Sequence, residues 1–319
     1  MRESLRLASI DIGTNSVRLL VAECEGDRKS TLDRRMVITR LGEGVDETHL
    51  LAAEAVERTA EVLRDYRVAM GALKPAAVRV VATSALRDCG NKEDFLDLAA
   101  GILGERPEIL SGDEEARASF IGAVSDIDWE RMDETAPVLV VDIGGGSTEI
   151  IVGSRWGIVV RSVDVGCVRM SERFLTMDPP SPLAVGRMES YIVGQLKPAI
   201  GEILPPGVPL AIGLAGTVTT LSAIKQGLRK YDTSRIHHSH LSRTEVEELF
   251  LKLASVDLGE RKRVMGIEPG RADVIVGGAA VLRAVMDLAC FEDILVSEKD
   301  ILDGLVADLF REMTGDVEQ

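Results

Sequence analysis

The sequence predicts an α/β fold in which one domain-sized unit has been laid down twice. Short apolar runs of strand length alternate with amphipathic runs of helical period. A seven-residue segment beginning at Ile10 recurs at Val141. The chain of 319 residues is also longer than one domain usually needs.

The elements follow in order. Leu5 to Ile12 and Val17 to Glu23 are rich in Leu, Ile and Val, and Gly13-Thr14-Asn15-Ser16 between them has turn chemistry, which predicts a hairpin. Val37 to Leu41 is a further short strand. Leu51, Ala55, Val56, Leu63, Tyr66 and Met70 approximate the helical period, so Thr48 to Leu73 reads as a long helix that Lys74-Pro75 ends. Val78 to Ala82 is a strand. Asn91, with Asp94 three residues on, predicts the capped start of a helix reaching about Leu103. Glu108 to Leu110 is extended. Ser111 and Glu114 have capping-box spacing ahead of Ala116, Phe120, Ala123 and Val124, which share a helical face.

Asp126 to Pro137 is acidic and aperiodic, and is expected to be the crossing into a second domain. Val138 to Ile143 is a strand, Gly144-Gly145-Gly146-Ser147 turns the chain, and Ile150 to Val152 returns it. Asp178 to Pro182 is a rigid loop, and Leu183 to Leu204 a helix expected to kink at Pro198. Leu210 to Leu214 is a strand entering a Gly216-Thr217 turn, and the helix that follows carries Leu221 and Ile224. Helices at Thr244 to Leu253 and Ala272 to Met286, a strand at Ile294 to Ser297 and a helix at Ile301 to Met313 complete the chain. The expected division is 1–125 plus 299–319 for the first lobe and 126–298 for the second.

Hydrophobic residues make up 45% and charged residues 28%, which supplies buried cores and excludes global disorder. Lys and Arg total 37 against 52 Asp and Glu, a net charge of −15, and aromatics are only 3%. This composition argues against nucleic-acid binding, which needs a basic surface and stacking platforms. Cys24, Cys89, Cys167 and Cys290 stand far apart without a CxxC pair, fitting a reducing compartment and neither a disulfide framework nor a zinc cage. The first apolar stretch meets Asp11 too soon for a signal-peptide core, and no apolar run reaches the roughly 18 residues of a membrane span. A soluble cytoplasmic protein is the expectation.

The recurring segment carries the chemistry. Ile10-Asp11-Ile12-Gly13-Thr14-Asn15-Ser16 aligns with Val141-Asp142-Ile143-Gly144-Gly145-Gly146-Ser147. Two such turns offer backbone N–H groups to phosphate oxygens, and an Asp at each strand end suits Mg²⁺. Neither segment has the dinucleotide GxGxxG or the Walker spacing. In Arg235-Ile236-His237-His238-Ser239-His240 three histidines fall within four positions; a zinc site would want a fourth ligand, so a polar loop is expected. Gly277-Gly278 inside a helical pattern predicts close packing against the glycine segment at Gly213, and Cys89 and Cys167 read as buried small hydrophobes.

These paired turns resemble the two phosphate loops of the actin-like ATPase superfamily, and Gly213-Leu214-Ala215-Gly216-Thr217-Val218-Thr219-Thr220 resembles its third glycine motif. In detail the chain resembles the exopolyphosphatases and guanosine pentaphosphate phosphohydrolases. The resemblance rests on Ser9 to Leu19, Val81 to Arg87, Ser111 to Arg117 and Val141 to Glu149, and continues through Asp164 to Val168, the Gly213 motif and Arg271 to Ile275. It implies two ribonuclease-H-like, actin-like domains with an interdomain cleft. It also implies a Mg²⁺-dependent phosphohydrolase acting on inorganic polyphosphate, guanosine pentaphosphate or tetraphosphate, typically as a homodimer. An ATP-dependent kinase of the same superfamily, or a non-catalytic alarmone or nucleotide sensor, is the alternative.

Residue by residue, the resemblance makes Glu115 the catalytic acid. Glu114 has the spacing to cap the helix through Ser111, which leaves Glu115 without that local job, although acids at a helix start also suit its dipole. Asp11 and Asp142 would hold Mg²⁺ with Glu149 in support. Thr14, Asn15 and Ser16, with Gly144, Gly145, Gly146 and Ser147, would grip phosphate. Arg87 would bind phosphate with its planar fork, its alternative being a surface salt bridge. Arg18, Gly216, Thr217 and Arg271 would line the place of a guanine nucleotide, though Arg18 lies in an apolar strand and can equally face solvent. Asp300 and Leu302 stand where the family often has Gly and Arg, which puts a phosphate contact there in doubt. The chain also stops short of the helical domains that long members carry. A net charge of −15 must be reversed locally, by a basic cleft and bound Mg²⁺, for a polyanion to enter.

Overall fold

A computed structural model of the chain describes residues 4–26, 28–87, 89–128, 136–154 and 157–315. They fall into two compact units, Met1–Ser125 with Ile301–Gln319, and Asp126–Asp300. Part of the expected crossing between lobes, 129–135, lies outside the described residues.

In the first unit the predicted hairpin forms as β1 (Leu5–Ile12) and β2 (Ser16–Glu25), paired antiparallel. The third strand, β3 (Arg28–Ile38), begins well before the short strand expected at Val37. Its first eight residues include four cations and little apolar side chain, because it lies at the sheet edge, where charge blunts further pairing. The expected long helix starts later and is preceded by a single turn: α1 (Val45–Thr48) and α2 (Ala53–Leu73). After β4 (Ala77–Ala82) come α3 (Ser84–Arg87), α4 (Lys92–Leu103), β5 (Glu108–Ile109) and α5 (Gly112–Ala123). Asn91 sits at the N-cap of α4 but does not cap it; its amide instead bonds the N–H and C=O of Leu51 at 2.8 and 3.1 Å. The Ser111–Glu114 capping box forms as predicted.

The five-stranded sheet runs β3-β2-β1-β4-β5, with β1, β4 and β5 parallel. Strand alternation divides β1 between two layers. Ala8, Ile10 and Ile12 pack with Leu63, Tyr66 and Phe95 of α2 and α4. Leu7 packs on the other face with Leu302 and Val306, where the hydroxyl of Ser9 donates to the Leu302 carbonyl at 2.9 Å.

The second unit repeats the meander with β6 (Val138–Ile143), β7 (Thr148–Ser154) and β8 (Gly157–Val163), then α6 (Cys167–Phe174) and α7 (Pro182–Ile203), which continues through Pro198. Next come β9 (Leu210–Leu214) and α8 (Ala215–Lys225), so Gly216 and Thr217 form the first turn of a helix and not a separate turn. The remainder is α9 (Thr233–Ile236), β10 (His240–Ser242), α10 (Arg243–Ala254), α11 (Leu258–Arg261), α12 (Ile275–Ala289) and β11 (Asp293–Val296). The six-stranded sheet runs β10-β11-β9-β6-β7-β8. Leu139, Val141 and Ile143 meet Met188, Ile192 and Leu196 of α7 and the almost wholly buried α12 in one core.

The closing helix α13 (Ile301–Thr314) belongs to the first unit and packs on α5. Gly304 permits that approach, since a Cβ there would lie 1.9 Å from the Ala118 carbonyl oxygen. Among the described residues no helix is long and apolar enough to cross a membrane.

Candidate active site

The first loop is held from behind. Its turn closes through the Gly13 N–H and the Ser16 carbonyl at 3.0 Å. The segment leaving β3 then takes up the loop's other carbonyls. Thr39 and Arg40 donate to Asn15 O at 3.1 and 2.9 Å, and Gly42 donates to Thr14 O at 2.8 Å. The backbone amides of Thr14 and Asn15 find no acceptor among the described residues. Carbonyls turned away and amides left over make a concavity suited to an anion. Asn15 is only 5% exposed, yet neither polar atom of its side chain has a hydrogen-bond partner there. Such a group calls for a ligand.

The second loop is built the same way from different residues. Gly144 N–H bonds Ser147 O at 3.0 Å, and the start of α6 covers the carbonyls: Cys167 donates to Gly144 O, and Val168 and Arg169 to Gly145 O, at 2.9 to 3.1 Å. The Arg169 side chain takes Gly146 O at 2.8 Å. The amides of Gly145 and Gly146 have no acceptor among the described residues. In each unit the covering segment follows the third strand of the meander and carries a glycine. A Cβ at Gly42 would lie 2.4 Å from the Thr14 methyl, and one at Gly166 would lie 2.3 Å from Gly145 O. Sequence reasoning gave neither segment a role, since what each covers is set by tertiary contact. The available signals were a glycine after each meander and, in the second unit, the Asp164 to Val168 segment of the resemblance.

The aspartates that lead the loops are both buried, but their neighbours differ. Asp11 faces Arg18 across β1 and β2, and the guanidinium donates to Asp11 Oδ2 through Nε at 2.9 Å and through Nη2. Arg18 therefore does not face away into solvent; burial of Asp11 beside it draws the cation in. Asp142 faces Glu149 across β6 and β7, and Ser162 donates to Glu149 Oε1 at 2.8 Å.

Glu115 stands on the first turn of α5, where Glu114 spends its carboxylate on Ser111 and is held below the usual carboxylate range by those bonds. Arg87, at the end of α3, donates through Nη1 to Glu115 Oε2 at 2.7 Å and to the Leu110 carbonyl at 2.9 Å. In the second unit Gly216, Thr217 and Arg271 come together. The Arg271 guanidinium lies so close over Gly216 that a Cβ there would fall 1.8 Å from Nη1; of the glycine pair expected to pack on this segment, Gly278 packs on Thr217, whereas Gly277 packs on Ser171 and Cys167 of α6. Cys89 and Cys167 are buried, and burial pushes the Cys167 thiol up.

The histidine cluster gathers His237 and His238 with Asp126, their donor atoms within 4.8 Å of one another. His237 Nδ1 accepts the Glu298 N–H at 3.1 Å, which places the imidazole proton on Nε2, toward Asp126 Oδ2 at 2.8 Å. The Lys299 ammonium reaches the same oxygen at 3.0 Å. A metal there would displace one cation and strip a proton, so the cluster reads as an ion-paired loop.

Comparison with known proteins now bears on this geometry. Residues 20–312 match the Ppx/GppA phosphatase family. Exopolyphosphatase 2 of Mycobacterium tuberculosis is 39% identical, over 95% of this chain and 98% of its own length. Guanosine-5'-triphosphate,3'-diphosphate pyrophosphatase of Vibrio parahaemolyticus is 29% identical, over 96% of this chain and 59% of its own. The crystal structure of the Aquifex aeolicus Ppx/GppA family member is similar with a TM-score of 0.80 at 30% identity, covering 97% of this chain and 99% of that one. The fold is thus that of two actin-like domains, and the chain belongs to the Ppx/GppA phosphatase family and is a phosphohydrolase.

Proposed function

We propose that this protein removes the terminal phosphate of inorganic polyphosphate, of guanosine pentaphosphate, or of both. The reading is carried by one observation: each unit holds a loop whose carbonyls are engaged from behind while neighbouring amides lack acceptors among the described residues. That pattern, made twice, suits a chain of phosphates better than it suits a neutral substrate. The names of the relatives supply the two substrate classes.

Asp142 and Glu149 form a buried hard-oxygen pair on adjacent strands, which fits a divalent cation such as Mg²⁺. Asp11 fits one less well, because Arg18 already engages its Oδ2. When bound, the cation would neutralise charge on the phosphoryl oxygens. Thr14 and Asn15 of the first loop and Gly145 and Gly146 of the second would bind phosphate oxygens through their amides, with Ser16, Gly144 and Ser147 closing those loops. Glu115 would orient the attacking water and accept its proton, the one piece of chemistry that binding alone does not supply. Gly216, Thr217 and Arg271 would contact the nucleoside end of a guanosine substrate. A cytoplasmic homodimer is part of the same proposal, and light scattering of the purified chain tests its assembly.

Phosphate release from short polyphosphate, long polyphosphate and guanosine pentaphosphate, each with and without Mg²⁺, tests the function and ranks the substrates. Glu115→Gln is expected to lower turnover by a factor on the order of 10² or more with unchanged circular dichroism, as for loss of a general base. Wild-type turnover in that variant removes Glu115 from the reaction.

A further inference from the structure

Arg87 is placed to act on Glu115. One nitrogen, Nη1, donates both to Glu115 Oε2 at 2.7 Å and to the Leu110 carbonyl at 2.9 Å. Both side chains are largely withdrawn from water, at 22% and 12% exposure. The supports of this brace are themselves fixed. Leu110 N–H bonds the Ala82 carbonyl at 3.0 Å, which ties it to the end of β4, and Glu115 N–H bonds Ser111 O at 3.0 Å within the capped start of α5. The guanidinium therefore links the end of α3 to the first turn of α5 and holds one oxygen of the carboxylate it meets.

We infer that Arg87 is a positioning residue for Glu115, acting on the reaction through that carboxylate and not as a direct phosphate ligand. This rests on the assignment of Glu115 as base made above. A base on a flexible two-carbon stem loses rate when its lone pairs wander from the water, and a rigid donor on one oxygen limits that motion. The bond from Nη1 to Glu115 ties this guanidinium to the base itself, so its loss is felt at the carboxylate.

A double-mutant cycle separates the two roles, because residues acting as one unit are not additive. With inorganic polyphosphate as substrate, Arg87→Gln is expected to lower kcat by about 10- to 50-fold with KM changed less than about threefold. In the Glu115→Gln background the same change is expected to cost less than about threefold, and Arg87→Lys to recover part of the wild-type kcat. Costs that multiply in the double variant, or a loss confined to KM, overturn the inference and make Arg87 a phosphate ligand. If Arg87→Gln melts early, Arg87→Lys carries the same comparison in both backgrounds. Wild-type turnover in Glu115→Gln sinks the base assignment and this inference together, whereas an inactive Glu115→Gln with multiplying costs sinks this inference alone.

Discussion

The two hairpins share a register and differ in the sign of the charge that faces the aspartate. Asp11 pairs across the strands with Arg18, and Asp142 pairs at the equivalent position with Glu149. The backbone geometry suited to an anion has been kept in both copies, including the segment that covers the loop carbonyls. The charge opposite the aspartate has not. In the first unit an arginine faces the aspartate; in the second a second buried carboxylate does, an arrangement that fits the cation proposed above. On the proposed function, a duplicated frame would divide its labour through the residue set opposite each aspartate.

The largest effect that tests this contrast lies with the metal. Glu149→Gln or Asp142→Asn is expected to weaken Mg²⁺ binding, read by calorimetry on the substrate-free protein, by a factor on the order of 10 to 100, and to lower kcat/KM with it. Arg18→Gln is expected to leave cation affinity within about threefold, because Arg18 faces the other aspartate. Equal losses in both hairpins would erase the division of labour.

A smaller effect separates the covering segments. At Gly166 an added Cβ meets backbone, the Gly145 oxygen at 2.3 Å and carbon at 2.4 Å, and neither can rotate away. At Gly42 the closest atom is the Thr14 methyl, which can change rotamer. Gly166→Ala is therefore expected to cost about 3 kcal/mol and Gly42→Ala about 1 kcal/mol in denaturant unfolding. The reverse order would mean that the first loop is the stiffer one.

The same contrast marks what was legible in the sequence. Both hairpins could be read, because their apolar runs, glycine turns and matched aspartates are local features. The third strand of each meander, β3 and β8, was largely or wholly missed, and both lie at sheet edges where one side needs no apolar residue. Capping could be read at Ser111 and Glu114, where partners are three residues apart, and failed at Asn91, whose amide serves Leu51 forty residues away. Candidate site residues could be named from the motif, but their partners were hidden. That Arg18 holds Asp11, and that Arg87 braces Glu115, depends on strand register and on helix placement, neither of which a motif encodes.

The last comparison sets an ion-paired acid in one unit against one in the other, and its smallest expected effect is that of salt. Asp303 of α13 is 2% exposed, and burial alone would push its carboxyl up; the charges of Arg34 and Lys29 outweigh that and hold it below the usual range. Asp126 is opposed by its own partial burial and likewise held down, by His237 and Lys299, but at 26% exposure. A carboxyl depressed in the folded state adds stability that is complete above its unfolded value, about 3.9, and is lost as pH falls through that value toward the folded one. Asp303→Asn is therefore expected to cost about 3 kcal/mol at pH 7 and Asp126→Asn about 1 kcal/mol, each difference shrinking below pH 4. Raising salt to 1 M should reduce the Asp126 contribution more, since water and ions reach it. Unfolding of the two variants at pH 7 and pH 3.5, at low and high salt, gives all of these differences. A penalty for Asp303→Asn that persists unchanged at pH 3.5 would show that shape and hydrogen bonding hold α13 in place, and not the charge of its aspartate.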